Sequence, residues 1–247
     1  MLTADHGDLD GAHRLHSKGA TAYREQNNVP LIVVHPAYPG DRRCKAVTSH
    51  LDIAPTLVSL TNIDAAKKAA ITNALPGKEF SSLLAAPEKA GHAAIRDGML
   101  FCYNMFAYID GDFLAKAVAV LRQPDGKAAL KEAVKAGAMR PDLTKRGAIR
   151  SVFDGRYKFT RYFSPKQHNR PDSLEALGQL NDVELFDLQT DPLELHNLAV
   201  GHHQASRSPR SDEHQAEHAH PEGGRRGRRP DVARRCRRRL GCDGRRL

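Results

Sequence analysis

Long hydrophobic runs are missing from this 247-residue sequence. No stretch of about 18 consecutive apolar residues occurs, so the sequence predicts no membrane-spanning helix and no membrane partner. The first seven residues have no basic segment and no apolar segment, so they are not expected to form a signal peptide. They are typical of a strand end that enters a loop. Because a domain rarely starts at such a point, we expect part of the fold to precede it.

Cysteine is scarce as well, with Cys44, Cys102, Cys236 and Cys242 as its four occurrences. No two of them form a C-x-x-C pair, so their spacing indicates neither a zinc site nor a disulfide framework. Free thiols suit a reducing compartment, whereas a preceding segment could carry an export signal. The sequence therefore leaves both a cytoplasmic and a periplasmic location open.

The net charge of +9 is concentrated at the C-terminal end. Residues 201–247 hold 13 Lys and Arg against 6 Asp and Glu, which leaves 25 against 23 for residues 1–200. Such a tail favours a nucleic-acid-binding protein as one function class. The tail contains no Phe, Tyr or Trp and so offers bases no stacking platform. We therefore expect no specific nucleic-acid partner, only salt-sensitive attraction to phosphates.

Apolar periodicity predicts an α/β architecture in the first part of the chain. Residues 1–4 and 29–36 are typical of buried strands of a parallel sheet. Ser49 suits the N-cap of a helix that ends at Leu60, and a second helix is predicted at 65–75. One face of the first helix is expected to carry its apolar side chains, namely Leu51, Ile53, Ala54, Leu57, Val58 and Leu60.

A small, mostly antiparallel α+β part is predicted to follow from about residue 95. Its elements are strands at 98–108, 149–153, 156–163 and 183–188 and a helix at 127–137. Asp154-Gly155, between two of these strands, predicts a two-residue hairpin turn. Residues 200–247 show no periodicity and are predicted to be disordered. Read one base later, their codons permit an amphipathic helix, so we interpret this tail as frame-shifted; a genuine basic tail is the alternative.

The residues that carry chemistry lie near the start of the chain. Asp5 and His6 follow a strand end, where an α/β sheet places its ligands. An adjacent carboxylate and imidazole can both bind one divalent cation, and Lys18 can neutralise an anion held by that cation. Taken alone, Asp-His-Gly is more often a polar loop than a metal site. The longer pattern around it therefore decides between a polar loop and a metal site.

That longer pattern resembles the sulfatase family of the alkaline phosphatase superfamily. The family's D-[HN]-G, G-x-H, K-G, Tyr-Glu and V-P-L-I elements match this sequence in order, at residues 5–7, 11–13, 18–19, 23–25 and 29–32. Its D-[IL]-A-P-T-L helix, its P-G segment, its closing hairpin and its Asp-Pro segment match residues 52–57, 76–84, 150–158 and 184–198. The resemblance thus extends over residues 1–199.

The resemblance implies a fold and a division of the chain. Residues 1–95 would be the C-terminal portion of the sulfatase catalytic α/β domain, with part of its alkaline-phosphatase-like sheet. Residues 96–199 would be the small C-terminal α+β subdomain, and residues 200–247 the disordered Arg-rich tail.

The resemblance also implies roles for individual residues. Asp5 and His6 would be ligands of a single divalent cation. Calcium is expected because a carboxylate is a hard oxygen ligand, and manganese or magnesium stay open because the imidazole is a softer ligand. Lys18 would contact a sulfate oxygen, and His13 is a further catalytic candidate on the same wall. We expect Asp5, His6 and Lys18 to converge at one end of the parallel strands, and Asp10 to be a solvated loop residue.

The family's nucleophile has no counterpart in this sequence. It is a Cys or Ser in C-x-P-S-R that is oxidised to formylglycine, whereas Cys44 precedes Lys-Ala-Val and Cys102 precedes Tyr-Asn-Met. The family's N-terminal pair of aspartate ligands is also absent. The resemblance therefore implies a hydrolase of small-molecule sulfate esters, present as a fragment that is inactive alone. A phosphonate monoester or phosphodiester hydrolase is the alternative, since both esters centre on a tetrahedral anion; the oligomeric state stays open.

Overall fold

The computed structural model describes residues 1–104, 110–167 and 170–200. The strands in these ranges are β1 Leu2–Thr3, β2 Leu31–Ile32, β3 Met99–Asn104, β4 Ala148–Phe153, β5 Tyr157–Phe163 and β6 Asn181–Asp187. The α-helices are α1 Arg24–Asn27, α2 Ile53–Ser59, α3 Ala65–Thr72, α4 Gly111–Leu121, α5 Gly126–Lys135 and α6 Leu174–Leu180. The predicted mixture of helix and strand is confirmed. In the described ranges, no helix is both long and apolar enough to cross a membrane.

The principal sheet is an antiparallel meander in the order β3-β4-β5-β6. The hairpin predicted at Asp154-Gly155 is confirmed, and Gly155 adopts the positive φ of 98° that a glycine accommodates. Its loop is longer than the predicted two residues, because Phe153 pairs with Lys158. The cause is the Asp154 side chain, which accepts the backbone N–H groups of residues 156 and 157 at 3.0 and 2.7 Å and so widens the turn.

One face of this sheet is buried although much of it is polar. Ile149 and Thr160 are both 0% exposed, and the ammonium-bearing Lys158 is only 6% exposed. Lys158 donates a hydrogen bond to the carbonyl oxygen of Ala22 at 2.6 Å, so the segment before α1 lies on this face. The sheet thereby supports the N-terminal loops that carry the candidate site.

The predicted buried parallel strands are not found at the N-terminus. Only Leu31–Ile32 of residues 29–36 forms a strand, and it pairs antiparallel with β1, Leu2 opposite Ile32. Ile32 is 51% exposed and Val34 84% exposed. In the described part of the chain this ladder is only two residues long and has no third strand, so its apolar side chains have no sheet neighbours to pack against.

The helix predicted from Ser49 exists, but its buried face is not the expected apolar one. Ser49 caps a 3-10 turn, His50–Asp52, that continues into α2, and Ser49 and Asp52 form a capping box. Leu51 and Leu57 are 53% and 49% exposed, whereas Asp52 and Thr56 are fully buried. The reason is polar anchoring: Thr56 Oγ1 donates to the Asp52 carbonyl at 2.6 Å and accepts the N–H of Phe80 at 3.0 Å.

The remaining predictions differ from the structure mainly at element ends. The helix predicted at 65–75 is α3, the helix at 127–137 is α5, and the strands at 98–108 and 183–188 are β3 and β6. Helices α4 and α6 were not predicted. Residues 105–108 of the first strand and the whole tail from residue 201, with its proposed disorder and frame shift, lie outside the described residues. The boundary near residue 95 stays a prediction.

Candidate functional site

A tightly turned loop connects β1 to α1 and carries the residues singled out by the sequence. Its backbone has a positive φ at five positions, four of them not glycine: Asp10, Gly11, His13, Arg14 and Ser17. Such backbone is uncommon for residues with a side chain and persists only where the surroundings hold it. Here Leu9, 3% exposed, anchors the loop, and its N–H donates to the carbonyl oxygen of Ser17 at 3.1 Å.

The structure brings Asp5, His6 and Lys18 together at one point. Lys18 Nζ lies 2.7 Å from His6 Nε2, and Asp5 Oδ2 lies 3.3 Å from the same nitrogen. His6 Nδ1 lies 2.8 Å from the carbonyl oxygen of Gly7. Because a carbonyl oxygen can only accept, Nδ1 carries a proton, and Nε2 is the ring nitrogen that faces both Asp5 and Lys18. The convergence occurs beside an antiparallel ladder, not at the end of parallel strands as expected.

The charge at this point is set by short local contacts. The backbone N–H of His6 donates to Asp5 Oδ1 at 3.0 Å, and this bond, with the nearby His6 and Lys18, lowers the pKa of Asp5. The Asp5 side chain is 85% exposed and the His6 side chain 37% exposed. Both groups are therefore accessible from solvent, and the carboxylate is ionised at neutral pH.

The donor set at Asp5 and His6 fits one side of a divalent-cation site. A carboxylate oxygen and an imidazole nitrogen are both common ligands, and a ligating histidine usually donates its other ring N–H to a carbonyl or carboxylate, as His6 does. Two protein ligands alone leave several coordination positions to other groups. A cation at His6 Nε2 also requires Lys18 to turn away, because its Nζ now lies 2.7 Å from that nitrogen.

His13 lies in a different set of contacts. Its ring stacks on Tyr23 with centroids 3.6 Å apart and planes 10° apart, and its Nε2 lies 4.0 Å from Glu25 Oε2. The structure therefore groups His13 with Tyr23 and Glu25. Its proposed catalytic role stays a prediction.

His13, Glu25 and Glu194 together place three potential ligand atoms within 4.8 Å of one another. The Glu194 side chain is fully buried, and both of its oxygens already have partners. Oε1 is ion-paired with the ammonium of Lys158, and Oε2 accepts the backbone N–H of Arg24 at 3.1 Å. We therefore interpret this group as a structural ion cluster rather than a metal centre.

Lys158 and Glu194 were missed when the sequence was read for chemistry. Lys158 is a lysine on the inward face of a strand, which is rare unless the ammonium is paired. That position was the available signal, but Glu194 lies 36 residues further along the chain and could not be assigned to it. Burial lowers the pKa of Lys158, while the Glu194 carboxylate opposes that effect.

A second, half-buried carboxylate, Glu184, lies on the same face of the sheet. Tyr23 Oη donates to Glu184 Oε1 at 3.2 Å and Tyr162 Oη donates to Glu184 Oε2 at 2.8 Å. Burial raises the pKa of Glu184 above the ordinary glutamate value. Burial and the neighbouring carboxylate also raise the pKa of Tyr23 to about 12 and that of Tyr162 further.

We expect Glu184→Gln to change the pH dependence of stability. Because the folded protein binds the Glu184 proton more tightly than the unfolded chain, this group stabilises the fold below pH 4.5 and loses that contribution as the pH rises through its raised folded pKa. Glutamine stays neutral, so the variant should lack this loss. Urea unfolding between pH 4 and 8 measures it, with the exposed Glu175→Gln as control. Parallel curves for wild type and Glu184→Gln would contradict the prediction.

The N-terminal part of the chain is similar to sulfatases. The family model described as Sulfatase matches residues 1–63. The chain is 42% identical over 65 residues to the uncharacterized sulfatase YidJ of Escherichia coli (strain K12), covering 26% of this chain and 13% of that protein. It is 38% identical over 63 residues to arylsulfatase K of Gallus gallus, covering 26% of this chain and 12% of that protein. The chain thus spans only a small part of the length of these curated relatives.

Two solved structures are similar to a larger share of the chain. A 2-O GAG sulfatase is 20% identical with a TM-score of 0.47, covering 81% of this chain and 31% of that one. The phosphonate monoester hydrolase of Agrobacterium radiobacter is 21% identical with a TM-score of 0.46, covering 81% of this chain and 30% of that one.

Proposed function

We propose that this chain, which is similar to sulfatases over residues 1–63, supplies part of the active site of a sulfuric ester hydrolase of the sulfatase family in the alkaline phosphatase superfamily. The observation that carries the proposal is the convergence of Asp5, His6 and Lys18 on one solvent-accessible point. A carboxylate, an imidazole and an ammonium group form a set that can hold a cation and an anionic ester together.

In this proposal Asp5 and His6 hold one divalent cation. Calcium is the first candidate, and manganese or magnesium are the alternatives. When bound, the cation would supply Lewis-acid polarisation of the ester. Lys18 turns from His6 Nε2 to a sulfate oxygen, where its charge stabilises the negative charge that grows in the transition state. The carbonyl oxygen of Gly7 keeps the proton on His6 Nδ1, so that Nε2 stays available.

The formylglycine nucleophile of the proposed reaction is not supplied by this chain. No C-x-P-S-R motif occurs in the 247 residues, and the two cysteines in the described ranges, Cys44 and Cys102, are in other contexts. We therefore propose that the chain alone does not turn over a sulfate ester. A phosphonate monoester would use the same cation and Lys18, so it is tested beside the sulfate ester.

Metal titration tests the proposed ligands directly. We expect Mn²⁺ or Ca²⁺, measured by isothermal titration calorimetry, to bind the wild type and to bind Asp5→Asn about tenfold or more weakly, in line with losses at known metal sites. Asp10→Asn, which removes an exposed carboxylate of the same loop, is the matched control and should bind like wild type. Equal affinity of all three proteins would contradict the ligand assignment.

The activity assay uses 4-nitrophenyl sulfate and 4-nitrophenyl phenylphosphonate with the full chain and added metal. We expect no turnover above background for either ester. Turnover that disappears in Lys18→Ala would overturn the proposal of inactivity, and the ester that is cleaved would identify the reaction.

A further inference from the structure

Gln26 joins the two ends of the loop that carries His6 and Lys18. Its backbone carbonyl oxygen accepts the N–H of Gly7 at 2.8 Å, directly after His6. Its side-chain Oε1 accepts the N–H of Gly19 at 2.8 Å, directly after Lys18. Its Nε2 donates to the carbonyl oxygens of Gly19 and Thr21 at 3.1 and 3.2 Å. Gln26 itself is only 5% exposed, so these bonds are shielded from water.

The start of the loop packs directly against α1. Gly7 lies so close to α1 that an added Cβ would overlap the carbonyl oxygen of Glu25. This close approach and the hydrogen bond from the Gly7 N–H to the Gln26 carbonyl oxygen place the neighbouring His6 beside α1. The Gln26 amide then determines where the chain passes at Gly19, and hence where the Lys18 side chain begins.

Helix α1 is fixed independently of the Gln26 side chain. The N–H of Arg24 donates to Glu194 Oε2 at 3.1 Å, and the Arg24 guanidinium donates to the carbonyl oxygen of Pro192 at 2.7 Å. Lys158 binds the adjacent carbonyl of Ala22. Removing the Gln26 amide should therefore release the segment at Gly19 while α1 stays docked on the sheet.

We propose that Gln26 is a positioning residue that sets the 2.7 Å contact between Lys18 Nζ and His6 Nε2. It acts through the backbone at Gly7 and Gly19 and touches neither a cation nor an ester. The functional meaning of this role rests on the proposed function, since it prepares Lys18 and His6 for a shared anion and cation. The contact joins two side chains of this chain, so it can be tested apart from activity.

Gln26→Met keeps the length of the side chain and removes all three amide hydrogen bonds. The readout is the acetylation rate of each lysine in the full chain, measured by mass spectrometry without metal. A lysine held in a hydrogen bond reacts more slowly, because that bond must break first. We expect Lys18 alone to react faster in Gln26→Met, and to the same extent in His6→Ala. The amide of Gly19 should also lose protection in hydrogen exchange.

Buried Lys158 is the internal control for unfolding, and Gln179→Ala, which removes the exposed Gln179–Glu175 hydrogen bond, is the matched glutamine control. If Gln26→Met leaves the Lys18 rate unchanged while His6→Ala raises it, the proposal is wrong. If Gln26→Met unfolds, so that Lys158 reacts as well, the shorter Gln26→Asn is judged by the same criterion. Failure of the metal titration would remove the proposed function but leave this result intact.

Discussion

Replacing Lys158 with methionine is expected to lower the free energy of unfolding by about 3–5 kcal/mol, the range for removing one partner of a buried ion pair. The side chains of Lys158 and Glu194 are 7% and 0% exposed. The substitution leaves the Glu194 carboxylate buried without its counter-charge and the carbonyl oxygen of Ala22 without its donor. Urea unfolding at pH 7, followed by circular dichroism, measures the loss.

Two comparisons separate the ion pair from general effects of substitution. Lys67→Met removes a charge that pairs with Asp64 at the surface, with side chains 75% and 56% exposed, and should leave the unfolding midpoint nearly unchanged. Adding Glu194→Gln to Lys158→Met should restore part of the lost stability, because it removes the unpaired buried charge and keeps an acceptor for the Arg24 N–H. A double variant less stable than Lys158→Met alone would refute this account of the cluster.

The second large effect is expected for Asp52→Ala, which should also cost about 3–5 kcal/mol because it leaves buried donors without an acceptor. The Asp52 carboxylate is fully buried. It accepts the backbone N–H of Ser49 at 2.8 Å and that of Lys78 at 2.7 Å, and it pairs with the guanidinium of Arg96. One side chain thus joins the start of α2 to two later segments of the chain.

The measurement is thermal or urea unfolding together with hydrogen exchange at residues 49 and 78. We expect both amides to lose protection in Asp52→Ala. Asp64→Ala is the matched control, since Asp64 caps α3 through the N–H of Lys67 at 2.9 Å but is exposed. Its effect should be clearly smaller. Equal losses in the two variants would mean that Asp52 acts only as a helix cap.

Elements with a local cause were predictable from the sequence. The β4–β5 hairpin follows from Asp154-Gly155, and the start of the α2 region follows from the Ser49 cap, because both depend on residues within a few positions of each other. The α2 face was predicted wrongly for the opposite reason. Which side of a helix is buried depends on its neighbours in space, and at Asp52 these are residues 78 and 96.

The candidate site divides in the same way. Asp5, His6 and Lys18 were found from the sequence because they lie within one loop of a recognisable pattern, and the structure brings them into contact. Gln26 was not found, because a glutamine in a short helix carries no chemical signal of its own. Its importance appears only when its bonds to Gly7 and Gly19 are seen together.

By itself the sequence determined the local turns and caps, the family resemblance and the choice of candidate residues for the proposed cation and anion site. Only the tertiary structure decided that Lys158 meets Glu194 and Ala22 and that Glu184 lies between two tyrosines. It also decided that polar Asp52 and Thr56 are fully buried in the α2 region while Leu51 and Leu57 are exposed. These contacts join residues far apart in the chain. Their pairing follows from how the sheet and loops pack, and the desolvation that shifts the pKa values of Lys158 and Glu184 exists only once that packing has formed.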